Sequence, residues 1–388
     1  MIQLNDYNSA VTEQELNRRR SAAQKIMEEK GVDCLLLTAF NNAQGSAVRY
    51  FADWIALDPG AYVMLPQKGG LTIWNSGAEG KPSVPPYAAR GYEQSIGFPY
   101  FPAFPFTNDI MPNEIIRYIN DRRFRVIGLY RHMFIPHPIM DALRAYGCEF
   151  VDMDEEIDLL QAVKSPEEIA EFRHMAALHD DLYAACRCFV RPGRTEHEIA
   201  ADIKKCALDL NCEELNIMIG AGNPIGKHKP YFLLNHVVNK GDAMDLLVEV
   251  TGPGGFFSEV SRMWSIGKPS SQLVRAFDDA MEIQEHLAAM AKPGLPACEI
   301  MKELHRFQDA HGYERETRLF AHSQGYDVVM RPCCMLNETM LLQENMVMSI
   351  HPGMANDHIF AMVTDTFLIT KDGGVRLNKT PRTLHIVE

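Results

Sequence analysis

The first 150 residues alternate between segments with a helical period and short apolar runs. Between residues 12 and 30, Leu16, Ala23 and Met27 fall near one helical face, charged residues fill the other, and Gly31 is typical of a helix end. A second helix is predicted near residues 138–146, and the apolar runs of strand length cover residues 34–38, 63–66, 71–74 and 126–130. This alternation predicts a small α/β domain over residues 1–155.

The second part of the chain carries stronger helix signals and longer strands. Ser165-Pro-Glu-Glu168 supplies an N-cap serine, a proline in the first turn and a glutamate three residues after the serine, so it predicts a helix that runs to about Phe189. Thr195 begins a second capped helix. Further helices are predicted at 270–291 and 297–311, and strands at 214–219, 243–251, 255–262, 346–350 and 358–369. We therefore predict an α+β fold with a larger second domain over residues 156–388.

The composition is typical of a soluble globular protein, and the net charge makes some classes of partner unfavourable. The chain has 388 residues, of which 46% are hydrophobic and 23% charged, and its formal net charge of −13 disfavours nucleic acid and anionic membrane surfaces. No apolar stretch is long enough to span a bilayer, and the N-terminus lacks the basic start and apolar core of a signal peptide. We expect no nucleic-acid partner and no membrane partner.

The nine cysteines show no regular spacing, and Cys333 and Cys334 are adjacent. This pattern does not predict a disulfide framework. A reducing compartment is therefore expected, and we predict a cytoplasmic protein.

The first candidate for chemistry is a pair of glutamates in a predicted hairpin. Glu249 and Glu259 flank Thr-Gly-Pro-Gly-Gly, whose three glycines and proline predict a tight turn between two strands. Residues ten apart across such a turn can meet on one face of the sheet. Two carboxylates that meet there could bind a metal ion, or could share protons with one pKa raised.

Three histidines are the other candidates. His322 lies in His-Ser-Gln-Gly, His351 lies in His-Pro-Gly, and His228 lies between two lysines. An imidazole can transfer a proton near neutral pH or bind a metal ion through its neutral nitrogen. The sequence alone leaves both roles open for each of them.

These segments together resemble the pita-bread superfamily of aminopeptidase P, prolidase, methionine aminopeptidase and creatinase. The second hairpin strand of that superfamily reads Gly-aromatic-x-x-Asp-x-x-Arg, and this chain reads Gly255-Phe-Phe-Ser-Glu-Val-Ser-Arg262. His322-Ser-Gln-Gly325 is similar to its His-x-x-Gly, and His228 resembles the acid/base histidine of creatinase. The resemblance implies a pita-bread second domain. It also implies a homodimer in which the partner's N-terminal domain closes the pocket.

The ligand positions depart from the superfamily pattern, in which metal-binding members present two aspartates, one histidine and two glutamates. Glu259 stands at the second aspartate position and Val248 at the first, so Glu249 fills the first role only if the turn is one residue shorter. His351 replaces the glutamate before Pro-Gly, and Thr364 replaces the final glutamate before Asp-Thr. A pair of divalent ions needs several anionic oxygen ligands, so we predict no bound metal.

The main hypothesis is a metal-independent hydrolase, similar to creatinase, that cleaves a C–N bond of a small polar amide, amidine or cyclic compound. The residues predicted to be catalytic are His322, Glu259, His351 and His228. The residues predicted to bind this small-molecule substrate are Glu249, Arg262, Arg331 and Thr364.

Three alternatives remain open from the sequence. The first is a metal-dependent Xaa-Pro aminopeptidase or dipeptidase with one divalent ion, Mn, Zn or Fe, whose ligands would be Glu249, Glu259, His322 and His351. The second is a lyase that cleaves a C–S or C–O bond on the same fold. The third is a peptide-binding module without catalysis.

Overall fold

The computed structural model describes residues 11–39, 45–54, 60–86, 88–99, 104–233 and 235–388, without the side chains of Ser46 and Phe106. The chain divides into two compact units, Met1–Gln161 and Ala162–Glu388. The predicted boundary between residues 155 and 156 falls inside a helix that spans Asp154–Ala162. In the described part of the chain, no helix is both long and apolar enough to cross a membrane.

The first unit is built on one sheet of six strands. In chain order the strands are β1 (Cys34–Ala39), β2 (Ala61–Pro66), β3 (Leu71–Ser76), β4 (Tyr92–Phe98), β5 (Val126–Leu129) and β6 (Glu149–Asp152). They lie in the order β4-β3-β2-β1-β5-β6. Side chains such as Leu36, Trp74 and Ile115 form an apolar core on this sheet. The unit is the α/β arrangement that the alternating pattern predicts.

Five α-helices accompany this sheet in the described residues. They are α1 (Glu13–Lys30), α2 (Ser46–Ala52), α3 (Ile110–Arg122), α4 (His137–Tyr146) and α5 (Asp154–Ala162). Thr12 caps α1 by accepting a hydrogen bond from the backbone N–H of Glu15, and Gly31 ends it with φ of 68°. A positive φ is accessible to glycine at little cost, so the sequence fixes this helix end.

The second unit contains four helices and twelve strands among the described residues. The helices are α6 (Pro166–Phe189), α7 (Glu196–Asp209), α8 (Ser271–Met290) and α9 (Cys298–His311). The strands are β7 (Leu215–Gly222), β8 (Lys229–Pro230), β9 (Ala243–Thr251), β10 (Phe257–Ile266), β11 (Ala321–Ser323), β12 (Met330–Cys333), β13 (Val347–Ile350), β14 (Gly353–Asn356), β15 (Ile359–Met362), β16 (Asp365–Thr370), β17 (Gly373–Arg376) and β18 (His385–Val387).

Two five-stranded sheets organise this unit, in the orders β18-β10-β9-β7-β8 and β12-β11-β13-β16-β17. Ser165 and Thr195 cap α6 and α7 with complete capping boxes, as their sequences predict. One apolar core joins α6 and α7 to the first sheet through residues such as Leu182, Ile199 and Val248. A second core holds apolar residues of α8, α9 and the other sheet. Each sheet therefore has a helical layer of its own.

The sheets meet at a short backbone bridge that the sequence did not predict. Residues 358–369 were expected to form one strand, but the structure divides them into β15 and β16. At the break, Thr364 exchanges two backbone hydrogen bonds with Ser261 of β10, at 3.2 and 3.4 Å. The break therefore joins one sheet to the other, and the polar residues described next lie around this junction.

Candidate active site

A pair of carboxylates lies on one face of the hairpin between β9 and β10. The register places Glu259 directly opposite Glu249, and directly opposed residues of antiparallel strands present their side chains on the same face. The neighbouring pair, Val248 and Val260, is fully buried in the core against α6 and α7 on the other face. The two carboxylates therefore lie next to each other on the same face of the hairpin, ten residues apart in the chain.

The carboxylate of Glu259 is held in one orientation by two side chains, and a third side chain orients one of these two. Gln324 Nε2 donates to Oε1 at 3.1 Å, and Ser349 Oγ donates to Oε2 at 2.8 Å. Thr366 Oγ1 donates to Gln324 Oε1 at 3.1 Å, which turns the amide so that its NH₂ group faces Glu259. Gln324, Ser349 and Thr366 therefore position the central carboxylate and stabilise its ionised form.

Two imidazoles converge on the same carboxylate. His322 Nε2 lies 3.4 Å from Glu259 Oε1, and His351 Nε2 lies 4.0 Å from Oε2. One potential ligand atom from each of these three residues lies within 4.8 Å of the other two. We call Glu259, His322 and His351 the three-donor group. The carboxylate of Glu249 is not a member of this group among the described residues.

The proton on His322 can be assigned from its second nitrogen. Nδ1 lies 3.0 Å from the carbonyl oxygen of Ser323, which can only accept a hydrogen bond. Nδ1 therefore carries the proton, and the lone pair of Nε2 faces Glu259. Two electron-rich atoms 3.4 Å apart repel each other unless a proton or a metal ion lies between them.

Burial sets the ionisation of all four groups. It lowers the pKa of His322, and burial together with the nearby His322 lowers the pKa of His351 well below its usual range. Burial raises the pKa of Glu259 to about 7, against the opposing hydrogen bonds from Ser349 and Gln324. Burial and the charge of Glu259 raise the pKa of Glu249 to about 7. At neutral pH the site therefore holds neutral imidazoles beside carboxyl groups that readily gain or lose a proton.

His228 lies beside this group and has a carboxylate partner of its own. Its Nδ1 lies 2.6 Å from Asp245 Oδ2, and Asp245 Oδ1 accepts a hydrogen bond of 2.6 Å from Ser261 Oγ. A charge on His228 lowers the pKa of Glu249, so the two side chains are electrostatically coupled. The structure therefore brings four predicted catalytic residues and Glu249 into one region.

Arg262 occupies a different position from the one predicted. Residues along a strand alternate between faces, so Arg262 points away from the face that carries Glu259. Its side chain is fully buried and its five N–H groups are all engaged; the acceptors are Asp365 Oδ1 and the carbonyl oxygens of Ser261, Thr364, Thr380 and Pro381. This geometry makes Arg262 an anchor between strands and leaves no donor for a substrate.

Arg331 and Thr364 are also held within the protein. The guanidinium of Arg331 forms hydrogen bonds to both carboxylate oxygens of Glu338, at 3.1 and 2.7 Å. Despite burial, this guanidinium and backbone N–H groups lower the pKa of Glu338 to about 2. The hydroxyl of Thr364 is buried, and no described residue forms a hydrogen bond with it. The ion pair with Glu338 does not support a substrate role for Arg331, and the substrate role of Thr364 stays a prediction.

Several residues of the site were missed by sequence reasoning. Gln324 lies inside the quoted His-Ser-Gln-Gly motif, and its role depends on a contact with Glu259, 65 positions away. Asp245 precedes Glu249 by four residues in the same strand, and the strand period of two places both on one face. The four-residue spacing from Glu249 is therefore a local pattern that could have identified Asp245. No local pattern of this kind points to Ser349 or Thr366.

The family model for "Metallopeptidase family M24" matches residues 170–379, which is more than half of the chain. The chain belongs to metallopeptidase family M24. The pita-bread resemblance inferred from Glu259, Arg262 and His322 is thereby confirmed.

Curated relatives match at low identity. A "Probable dipeptidase PepE" of Mycobacterium tuberculosis is 25% identical over 255 residues, which cover 64% of this chain and 66% of the relative. An "Xaa-Pro dipeptidase" of Pyrococcus horikoshii is 27% identical over 247 residues, which cover 61% of this chain and 68% of the relative. The match therefore spans just under two thirds of the length of PepE.

Solved structures of similar proteins cover nearly the whole chain. An X-Pro aminopeptidase of Thermotoga maritima has a TM-score of 0.81 at 18% identity and covers 95% of this chain and 99% of its own. The prolidase of Pyrococcus horikoshii has a TM-score of 0.77 at 21% identity and covers 95% and 100%. These similarities confirm the predicted α+β pita-bread fold with a smaller N-terminal domain.

The name of family M24 implies a metal, and the three-donor group fits one divalent ion. Its two neutral imidazole nitrogens and one carboxylate are a ligand set used for catalytic zinc and iron. Ligands about 2.1 Å from a tetrahedral ion lie roughly 3.4 Å apart. The spacing between His322 and Glu259 is 3.4 Å, that between His351 and Glu259 is 4.0 Å, and all three donor atoms lie within 4.8 Å of one another. A backbone carbonyl also fixes Nδ1 of His322, as expected for a ligand histidine. The residues do not fit two ions, because His351 and Thr364 supply no anionic oxygen.

We expect the metal-free M24 chain to lose stability with rising pH through Glu249. The folded-state pKa of about 7 lies above the unfolded value of 4.5, so its stabilising contribution is complete below pH 4.5 and is lost as pH rises through 7. The stability of Glu249→Gln relative to the native chain should therefore increase over this range, by at most about 3 kcal/mol given the partial exposure of the group. Urea unfolding in chelator at pH 4.5, 6 and 8 measures the difference; a constant difference would contradict the assignment.

Proposed function

We propose that this M24 chain hydrolyses the C–N bond of a small peptide or related amide at a site that holds one divalent ion. The observation that carries the proposal is the convergence of Glu259, His322 and His351, with Glu249 opposite Glu259 on the adjacent strand. The names of the relatives, a probable dipeptidase and an Xaa-Pro dipeptidase, support a substrate of dipeptide size. They favour the metal-dependent alternative over the metal-independent hypothesis drawn from the sequence.

In this proposal the three-donor group holds the ion. The chemistry that such an ion supplies is Lewis acidity toward a carbonyl oxygen and toward water. Ser349 and Gln324 keep Glu259 oriented and favour its ionised form. The neutral state of both imidazoles, which burial favours, is the form that binds metal.

Glu249 and His228 would move the protons. Burial raises the pKa of Glu249 to about 7 in the metal-free chain, and a nearby cation would favour its ionised form. Opposite Glu259, this carboxylate would be placed to take a proton from the attacking water. The oxygen of that water forms the new bond to the carbonyl carbon. As the C–N bond breaks, His228 in its imidazolium form would give the proton on Nε2 to the leaving nitrogen and keep the proton on Nδ1. The products are an amine and a carboxylic acid, which ionises to a carboxylate.

Removal of metal is the direct test of this proposal. The purified chain should contain about one ion per molecule, and dialysis against chelator should reduce hydrolysis of a panel of Xaa-Pro and matched Xaa-Gly dipeptides at least about 100-fold, with recovery on addition of Mn²⁺, Zn²⁺ or Fe²⁺. Metal content is measured by elemental analysis and turnover by release of the free amino acid. Activity that is unaffected by complete removal of metal would contradict the proposal.

One observation favours a second candidate, the metal-independent C–N hydrolase. His351 and Thr364 stand where the superfamily pattern has glutamates, so the carboxylate pair of this site is Glu249 and Glu259. Burial raises the pKa of both to about 7, and such a pair can share and transfer protons without an ion. The chelation experiment separates the two candidates, because this second enzyme would keep its full rate in chelator.

The predicted homodimer and the cytoplasmic location belong to the same proposal. Sedimentation of the purified chain at micromolar concentration tests the assembly: a mass near twice 43.8 kDa would support the dimer, and a single monomeric species would contradict it.

A further inference from the structure

The partner of His228 has no role in the reaction as proposed so far. We propose that Asp245 is the positioning residue that fixes the orientation and tautomer of His228, and that Gly220 provides the space in which the two residues meet. The inference deepens the proposed function, because it rests on His228 as the proton donor to the leaving group. Asp245 acts through His228 and is not itself placed in contact with substrate.

Asp245 is fully buried, and both of its oxygens are used. Oδ2 lies 2.6 Å from His228 Nδ1, and Oδ1 accepts a hydrogen bond of 2.6 Å from Ser261 Oγ. A buried carboxylate without partners is costly, so this geometry favours a charge-assisted hydrogen bond from Nδ1–H of His228. Ser261 holds the carboxylate from the opposite side and limits its rotation.

This contact determines what the other nitrogen of His228 can do. With the proton on Nδ1 committed to Asp245, Nε2 is the atom left for proton exchange, and no described residue forms a hydrogen bond with it. An aspartate that holds a histidine in this way selects the tautomer and stabilises the charged imidazolium. The ring also packs edge-on against Phe360, with ring centroids 5.9 Å apart, which further restricts its rotation.

Gly220 explains how His228 reaches a strand in the interior of the sheet. Gly220 of β7 is the direct partner of Asp245 in β9. A Cβ atom at Gly220 would lie 2.9 Å from His228 Cα and 3.0 Å from its backbone nitrogen and from the carbonyl oxygen of Gly226. Contacts of this length with backbone atoms cannot be relieved by a side-chain rotation. The segment that carries His228 thus passes over β7 at the register position where a side chain is missing.

The same sheet offers a matched control. His236 Nε2 lies 2.8 Å from Asp242 Oδ2, near the start of β9, and neither residue belongs to the site. The His236 side chain is 36% exposed, whereas that of His228 is 10% exposed. Asp242→Asn therefore removes a carboxylate from a His–Asp pair without altering the proposed proton donor.

The test compares Asp245→Asn, His228→Asn, the double variant and Asp242→Asn in the metal-loaded, full-length chain, with dipeptide hydrolysis as the assay. We expect Asp245→Asn to lower kcat roughly 100-fold with KM and metal content changed less than about threefold, which is the scale of general acid catalysis. The double variant should be no slower than His228→Asn, because the pair acts as a unit. Asp242→Asn should keep kcat within about threefold of the native chain.

A spectroscopic measurement makes the result independent of turnover. Proton NMR of the chain with ¹⁵N-labelled histidine should show a strongly deshielded imidazole N–H signal that disappears in His228→Asn and Asp245→Asn and remains in Asp242→Asn. If Asp245→Asn does not fold, Ser261→Ala should lower kcat by about 2- to 10-fold, the equivalent of one hydrogen bond, with the signal shifted. Gly220→Ala should reduce both the signal and kcat.

Two results would overturn the inference. One is a kcat for Asp245→Asn within threefold of the native value, and the other is a double variant whose loss equals the product of the two single losses. Failure of the proposed function looks different. If the native chain hydrolyses no amide, the N–H signal still reports whether Asp245 holds His228, and its absence from the native chain would then count against the pair itself.

Discussion

Replacement of Glu259 by glutamine should reduce kcat/KM at least about 100-fold and should reduce the metal content of the purified chain well below one ion. Glutamine keeps the size of the side chain but replaces an anionic oxygen by an NH₂ group, which cannot bind a cation. Loss of residues that merely support metal ligands costs 10- to 100-fold in many enzymes, so the loss of a central ligand should cost at least as much. Elemental analysis and dipeptide hydrolysis measure the two effects.

A matched control for this variant is Glu196→Gln. Glu196 is also almost fully buried, and its carboxylate accepts backbone hydrogen bonds from Ala221 and His236. We expect a loss of stability of about 1–3 kcal/mol, because the NH₂ group of glutamine must face one of these N–H donors, with unchanged metal content and kcat/KM within about twofold of the native value. If Glu259→Gln retained both metal and activity, Glu259 would not be a ligand, and the three-donor group would lose its only negative charge.

Replacement of Arg262 by methionine should lower the free energy of unfolding by about 3–5 kcal/mol, the usual cost of removing one partner of a buried ion pair. The variant leaves Asp365 buried without its closest cation, which lies 2.7 Å away in the native chain, and removes the guanidinium donors from the carbonyl oxygens of Thr380 and Pro381 in the C-terminal segment. Arg262→Lys should recover little of this loss, because a single ammonium cannot reproduce five hydrogen bonds from a planar guanidinium. Urea unfolding measures the change.

The exposed pair Arg315–Asp309 provides the comparison for Arg262. Its side chains are 62% and 48% exposed, so Arg315→Met should cost less than about 1 kcal/mol. A folded Arg262→Met chain of native stability with a greatly increased KM would show that the role predicted from the sequence, substrate binding, was correct after all.

The hairpin illustrates what the sequence could predict. Turn residues between Glu249 and Glu259 define a two-strand unit, and the local count of residues is enough to place both carboxylates on one face. The same count shows why Val248 cannot replace a ligand: it alternates to the opposite face and packs in the core. The spacing of residues along the chain therefore predicts the part of the site that lies within this hairpin.

Contacts between distant segments could not be predicted in this way. Gln324 and Ser349 contact Glu259, and Thr366 contacts Gln324, only because β10, β13, β16 and the residue that follows β11 come together across the junction of two sheets. The sequence also gave no sign that the strand around Thr364 breaks to form that junction. Such positions depend on the packing of whole sheets, which no short motif records.

Arg262 shows a limit of a different kind. The motif Gly255–Arg262 resembles that of the superfamily, but a motif does not state whether a side chain faces the ligand or the core. Burial and the five acceptors around the guanidinium decide that question here. His228 is the opposite case: its sequence motif is weak, but the structure places the buried carboxylate of Asp245 2.6 Å from its Nδ1.

The central claim is that Glu259, His322 and His351 hold one divalent ion rather than two or none. Crystals grown in excess Mn²⁺, with diffraction data collected at the manganese absorption edge, test it most directly. We predict one anomalous peak, bounded by the carboxylate of Glu259 and the Nε2 atoms of His322 and His351. Two fully occupied peaks, or none at this position under saturating Mn²⁺, Zn²⁺ and Fe²⁺, would contradict the account.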